Sequence, residues 1–122
     1  MNFRFPKEQK IYLKNDLDRL FKSQDAVFKH PIKAIYCTGN DKGYPRAMFS
    51  VPKRSFKRAV HRNLLKRRLR EAFRLSIGSY PHLQDTDFGF IYISNEIADY
   101  DTILSKMQKT LEQIEANHQE IA

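Results

Sequence analysis

The chain has 122 residues, 41% hydrophobic and 30% charged, with a formal charge of +8, which suits one soluble globular domain with a modest core. Its single cysteine, Cys37, excludes an internal disulfide and fits a reducing cytoplasm. No apolar run reaches the length of a membrane span and the opening MNFRFPKEQK lacks an apolar signal core, so neither a membrane protein nor a secreted one is expected.

Residues 1–9 read as a tail that orders on contact, punctuated by Pro6. Leu17, Leu20 and Phe21 then give a short amphipathic helix from about Asn15 to Ser23, with Asn15 or Asp16 as cap. Ala26–Lys29 reads as a short strand. Ile32–Thr38, β-branched and aromatic, predicts a strand ending on the turn signal Gly39-Asn40-Asp41-Lys42-Gly43. Pro45–Val51 returns as its antiparallel hairpin partner. Past a basic stretch, Gly78–Asp87 is a polar loop around Pro81, and Phe88–Ser94 is another strand. About Asp99–His118 closes the chain as an amphipathic helix, with Ile103, Met107, Leu111 and Ile114 on one side. The order α-β-β-(β)-α-β-α predicts an α+β fold, a two-layer sandwich in one domain of residues 1–122, ordered over about 7–118.

The basic stretch is residues 53–74, KRSFKRAVHRNLLKRRLREAFR. It holds Lys53, Arg54, Lys57, Arg58, Arg62, Lys66, Arg67, Arg68, Arg70 and Arg74 against one acid, Glu71. Its charge is +9, whereas residues 1–52 carry +5 and residues 75–122 carry −6. With Ser55 as a candidate cap and no Pro or Gly before Gly78, it predicts a helix. At about 100° per residue, Leu65, Leu69, Ala72 and Phe73 fall on one side. Asn63, Lys66, Arg67, Arg70 and Arg74 fall within a separate arc of about 100°. Solvated faces normally interleave acids at i+4, and this arc does not, so its repulsion calls for a polyanion. Arginine dominates, and its planar fork suits phosphates and base edges. The expected partner is nucleic acid.

The string FKRAVHRNLLKRRLREAFR resembles the Arg-Asn-Arg signature of the bacterial ribonuclease P protein family. SVPKR matches the strand leading into that helix, and KEQKIYLKNDLDRLFKSQ resembles the family's first helix, so the likeness spans about residues 7–115. Leu64 stands where many members carry a second Arg. The resemblance implies a left-handed βαβ crossover through the basic helix, as in the second domain of a small-subunit ribosomal protein. It implies a protein subunit that binds the catalytic RNA of ribonuclease P and assists removal of the 5′ leader from precursor tRNA. It assigns RNA-subunit binding to Arg58, Arg62, Asn63, Lys66, Arg67, Arg70 and Arg74. It places Leu17, Phe21, Tyr36 and Ser50 in a cleft for the single-stranded leader, with Lys53, Asn63 and Arg67 at its edge. It further implies hydrolysis by the RNA subunit with its Mg2+, a cytoplasmic location, and a protein that is monomeric or weakly self-associating without RNA.

Strand alternation by itself puts Ile32, Ala34 and Tyr36 on one face and Lys33, Ile35 and Cys37 on the other, and leaves Phe21 and Tyr36 open to being core. Catalytic signals are thin. His30, His61, His82 and His118 are scattered, and Cys37 reads as a small buried residue with no base nearby. Asp85/Asp87 and Asp99/Asp101 are acidic pairs of the kind that hold Mg2+ in nucleases, although acids at a helix start also favour its dipole. No metal site is assigned to the protein. A generic basic RNA-binding protein, a DNA-binding module and a protein-only nuclease are the competing functions. A strand directly before the basic helix argues against a two-helix DNA-binding motif.

Overall fold

The structure, a computed structural model, describes residues 14–22, 25–40 and 42–121, and side chains over 18–117 of that span. The tail at 1–9, Ser23 and the side chain of Leu17 lie outside the described residues. The elements run α1 (Lys14–Lys22), β1 (Ala26–Lys29), β2 (Ile32–Cys37), β3 (Arg46–Ser50), α2 (Ala59–Ser76), β4 (Asp87–Tyr92) and α3 (Tyr100–Ile121). Asn15 and Asp16 lie within α1 instead of capping it. The loop expected at 78–87 holds two 3-10 turns, Ile77–Ser79 and Pro81–Leu83; their Ile77 and Leu83, and Tyr80 between them, are buried.

The four strands lie in the order β1-β2-β4-β3. The expected β2–β3 hairpin does not form: β4 sits between the two, antiparallel to β2 and parallel to β3. The hairpin is β1–β2 instead, turning at His30-Pro31. Packing explains the choice, because a strand covered on both faces should be the most apolar one. The β4 sequence DFGFIY is that strand, buried everywhere except Ile91. The turn signal serves a wider loop. Gly39 and Gly43 take positive φ, while the backbone N–H of Asn40 donates to the carbonyl of Asp85 at 2.9 Å.

On one face, α2 and α3 cover the main core. Leu65, Leu69, Ala72 and Phe73 of α2 and Ile103, Met107, Leu111 and Ile114 of α3 are fully buried, as their helical spacing predicts. They meet Ile32, Ala34, Tyr36, Phe88, Phe90 and Tyr92 from the sheet. The rings of Phe88 and Phe90 stack, and Phe73 packs against both at 5.4 and 5.2 Å between centroids. Among the described residues, the other face is covered by α1, through Leu20 on Ile35.

The cap of α2 is also not the expected one. The helix starts at Ala59, with Arg58 as N-cap and no side-chain cap among the described residues. Ser55 sits in a turn whose backbone N–H groups at Ser55 and Phe56 donate to Pro52. Arg62 reaches back to hold this turn, donating to the carbonyls of Phe56 at 2.6 Å and Lys57 at 2.9 Å.

Candidate nucleic-acid interface

Burying Leu65, Leu69 and Phe73 against the sheet turns the opposite side of α2 outward. Asn63 and Arg67 are exposed there, and Lys66, Arg70 and Arg74 are half-buried. The cations differ in how they are held. The Arg70 guanidinium lies 6.0 Å from the centroid of the Phe49 ring, and its Nε is buried with no hydrogen-bond partner among the described residues. Arg74 is ion-paired with Glu71, whose hydrogen bond holds the guanidinium above its ordinary pKa. Arg62 is committed to the turn before the helix, and Arg58 is exposed at the cap. Arg68, outside the row, donates to the carbonyl of Ala98 at 2.6 Å and ties α2 to the start of α3. The row thus combines an outward pair, Asn63 and Arg67, with Arg70 and Arg74 held by their neighbours.

Beside that pair runs a shallow cavity of about 420 Å3, lined among the described residues by Val60, His61, Asn63, Leu64 and Arg67. Leu64 and the exposed Val60 give this part of the helix an apolar step. A second cavity, about 390 Å3, lies between His30-Pro31 and the start of α3 and takes no lining residue from α2 among the described residues.

The α1 face of the sheet resolves into three rows across the strands. The first holds Cys37, Asp87 and Arg46. The second holds Ala26, Ile35, Gly89 and Met48, and Leu20 of α1 seats on it. Gly89 makes that seat possible, since a Cβ there would stand 2.8 Å from Ile35 Cγ1 and 3.1 Å from Leu20 Cδ2. The third row, Phe28, Lys33, Ile91 and Ser50, continues beyond it. Lys53 is exposed in the turn that follows the Ser50 end of this row. Phe21, on α1 next to the buried Leu20, is 56% exposed. Ser50 thus lies on the α1 face, Phe21 on the helix that covers that face, and Lys53 in the turn after β3.

Tyr36 does not belong there. It is 5% exposed in the α2/α3 core, and its hydroxyl accepts a hydrogen bond from Asn117 of α3 at 3.3 Å. The reason is alternation: Tyr36 pairs with Phe88 and shares its face, while Ile35 and Cys37 take the α1 face. Cys37 itself is half-buried instead of buried.

A polar network unseen in the sequence fixes α1. Asp87, 1% exposed, accepts from Arg46 Nε at 2.9 Å and Nη2 at 2.7 Å, and from Asn40 at 2.9 Å. Arg19 of α1 reaches the same carboxylate at 3.6 Å and donates to the carbonyl of Thr38 at 2.9 Å. Asp87 is therefore saturated by guanidinium and amide donors and is a poor metal ligand. Asp99 caps α3, accepting from the Thr102 backbone at 2.8 Å, and the Thr102 hydrogen bonds hold its carboxyl below the usual range. Among the described residues, no group of three or more His, Cys, Asp or Glu side chains gathers. No helix in that span is long and apolar enough to cross a membrane.

The comparisons with known proteins agree with this geometry. The sequence model described as Ribonuclease P matches residues 5–115. A ribonuclease P protein component from Porphyromonas gingivalis is 31% identical over 126 aligned positions, covering 94% of this chain and 89% of that one. One from Chromohalobacter salexigens is 38% identical over 79 positions, 63% of this chain and 60% of the other. The RNase P protein of Thermotoga maritima superposes with a TM-score of 0.73 at 25% identity, over 85% of this chain and 96% of that structure. The Staphylococcus aureus protein shares the fold, also with a TM-score of 0.73, at 22% identity over 87% of this chain and 94% of its own. The chain belongs to the ribonuclease P protein family, the protein components of an endoribonuclease that processes tRNA.

Proposed function

We propose that this chain binds the catalytic RNA subunit of ribonuclease P along α2 and holds the 5′ leader of precursor tRNA on the α1 face of its sheet. Hydrolysis then belongs to the RNA subunit and the Mg2+ it organises, with no metal held by the protein. The reading assigns Arg58, Asn63, Lys66, Arg67, Arg70 and Arg74 to the RNA subunit, and Phe21, Ser50 and Lys53, with Asn63 and Arg67 at the edge, to the leader. Arg62 supports the first set by shaping the turn before α2. The site of action is the cytoplasm, and the protein alone is a monomer or associates weakly.

The observation that carries this reading is the pairing, on one small domain, of an outward cationic helix face with a partly open apolar sheet face. Cations follow an RNA backbone, while exposed aromatic side chains stack unpaired bases. A generic basic RNA binder needs only the first feature. The test compares precursor and mature tRNA binding by the holoenzyme reconstituted with its cognate RNA subunit. Wild type should hold the precursor more tightly, and Phe21→Ala should erode that preference by on the order of 1 kcal/mol. Equal binding of both tRNAs by the wild-type holoenzyme would favour the generic reading.

A further inference from the structure

The third sheet row extends past the residues assigned to the leader. It begins at Ser50, crosses Ile91 and Lys33, and ends at Phe28 on the edge strand β1. With strands about 4.8 Å apart, the row is about 14 Å long from end to end. Leu20 seats on the second row, and Phe28 remains 62% exposed. Ile93, just past the end of β4 beside the row, is 40% exposed. Lys33 places its Nζ 5.4 Å from the centroid of the Phe28 ring.

Isolated exposed hydrophobes need no explanation, but this one carries a cation on its ring and shares a row with Ile91. An aromatic face with an ammonium beside it offers stacking for a base and charge for the adjoining phosphate. The row is continuous with the Ser50 end, beside which the exposed Lys53 adds positive charge. A cation therefore stands near each end of the row. The geometry points to a second leader subsite at Phe28 and Lys33, which takes an unpaired nucleotide farther from the cleavage point than those near Phe21. The occupant is single-stranded RNA of the precursor's own leader. This inference rests on the proposed leader-binding function and extends it to how much leader the protein reads.

The experiment uses reconstituted holoenzyme and a series of precursor tRNAs whose leaders lengthen one nucleotide at a time. Wild-type affinity should rise in two stages, first as the leader reaches Phe21 and Ser50, then as it reaches Phe28. Phe28→Ala should remove the second stage, lowering the long-to-short leader affinity ratio about fivefold or more. Phe28→Trp should keep the second stage, since it preserves a stacking surface. Lys33→Gln should weaken it and reduce its salt dependence. An unchanged ratio in Phe28→Ala, with Phe21→Ala still eroding the precursor preference, would overturn the second subsite and leave leader binding standing. A wild-type enzyme indifferent to any leader would overturn both. If Phe28 instead joins two copies of the chain, Phe28→Ala would change the sedimentation of the free protein and leave the ratio intact, which also overturns the proposal.

Discussion

At the scale of single residues, Asp87 decides most. It is buried with Arg46, and Asn40 and Arg19 complete its shell. Deleting one member of a buried ion pair strands the other charge, which costs about 3–5 kcal/mol. Asp87→Ala should destabilise the protein by about that much in denaturant unfolding, and should free α1 by releasing Arg19. A loss under about 1 kcal/mol would show that water solvates Arg46 once its partner is gone. Gly89→Ala acts on the same helix by a different route. Its Cβ would crowd Ile35 and Leu20, and overpacking of this kind costs about 1–3 kcal/mol. The sequence marks Asp87 only as half of an acidic pair, and neither its ion pair nor the role of Gly89 is legible there. Asp87 and Arg46 stand 41 positions apart with no periodic relation, and Gly89 looks like any strand glycine until α1 is laid over it.

Secondary-structure elements carry the next set of consequences. On α2, the contrast is between Arg67 and Arg62. Arg67 is exposed, so Arg67→Ala should leave folding intact and lower the salt slope of RNA binding by about one phosphate contact. Arg62 holds two backbone carbonyls before the helix, and Arg62→Ala should cost about 1–2 kcal/mol of stability after allowance for its partial exposure. Equal and unchanged stability in both variants would mean the turn holds without that guanidinium. On α3, Asp99 is the cap. Hydrogen bonds from Thr102 lower its folded pKa below the unfolded value, so its charged form stabilises the fold. That contribution is complete above the unfolded pKa of about 3.9 and disappears as pH falls through the lower folded value. Asn caps about as well and does not titrate. The difference in melting temperature between wild type and Asp99→Asn should therefore shrink on acidification below about pH 4. The helices were well read from sequence because their pattern is local: Leu65, Leu69 and Phe73, or Ile103, Met107 and Leu111, mark the buried side by spacing alone. The start of α2 was not, because Ser55 carries the right oxygen but Pro52 and Arg62 organise the chain around it.

For the molecule as a whole, topology and charge are the deciding features. Sequence spacing reveals which strand residues share a face, and Ile32, Ala34 and Tyr36 do. It cannot reveal which helix covers that face, so spacing leaves Tyr36 open to being core; only the family resemblance implies the cleft for it, and it packs under α3. Nor can it reveal that β4, some fifty positions after β2, displaces the nearer β3 as its neighbour. What sequence did disclose is the segregation of charge, +9 in residues 53–74 against −6 in residues 75–122. That segregation bears on catalysis. A phosphodiester hydrolase acting alone needs a base or metal ions at the scissile phosphate. Here Asp87 is occupied by Arg46, Asp99 caps a helix, and the exposed cations of α2 can screen phosphates but cannot activate water. The protein without RNA should thus leave precursor tRNA intact in Mg2+. Added to its cognate RNA subunit, it should lower the Mg2+ concentration needed for cleavage, because its guanidinium groups take over part of the ions' screening of phosphate repulsion. Arg67→Ala should move that requirement back upward. Cleavage by the protein alone that survives repurification and is lost in Asp85→Asn would overturn this division of labour.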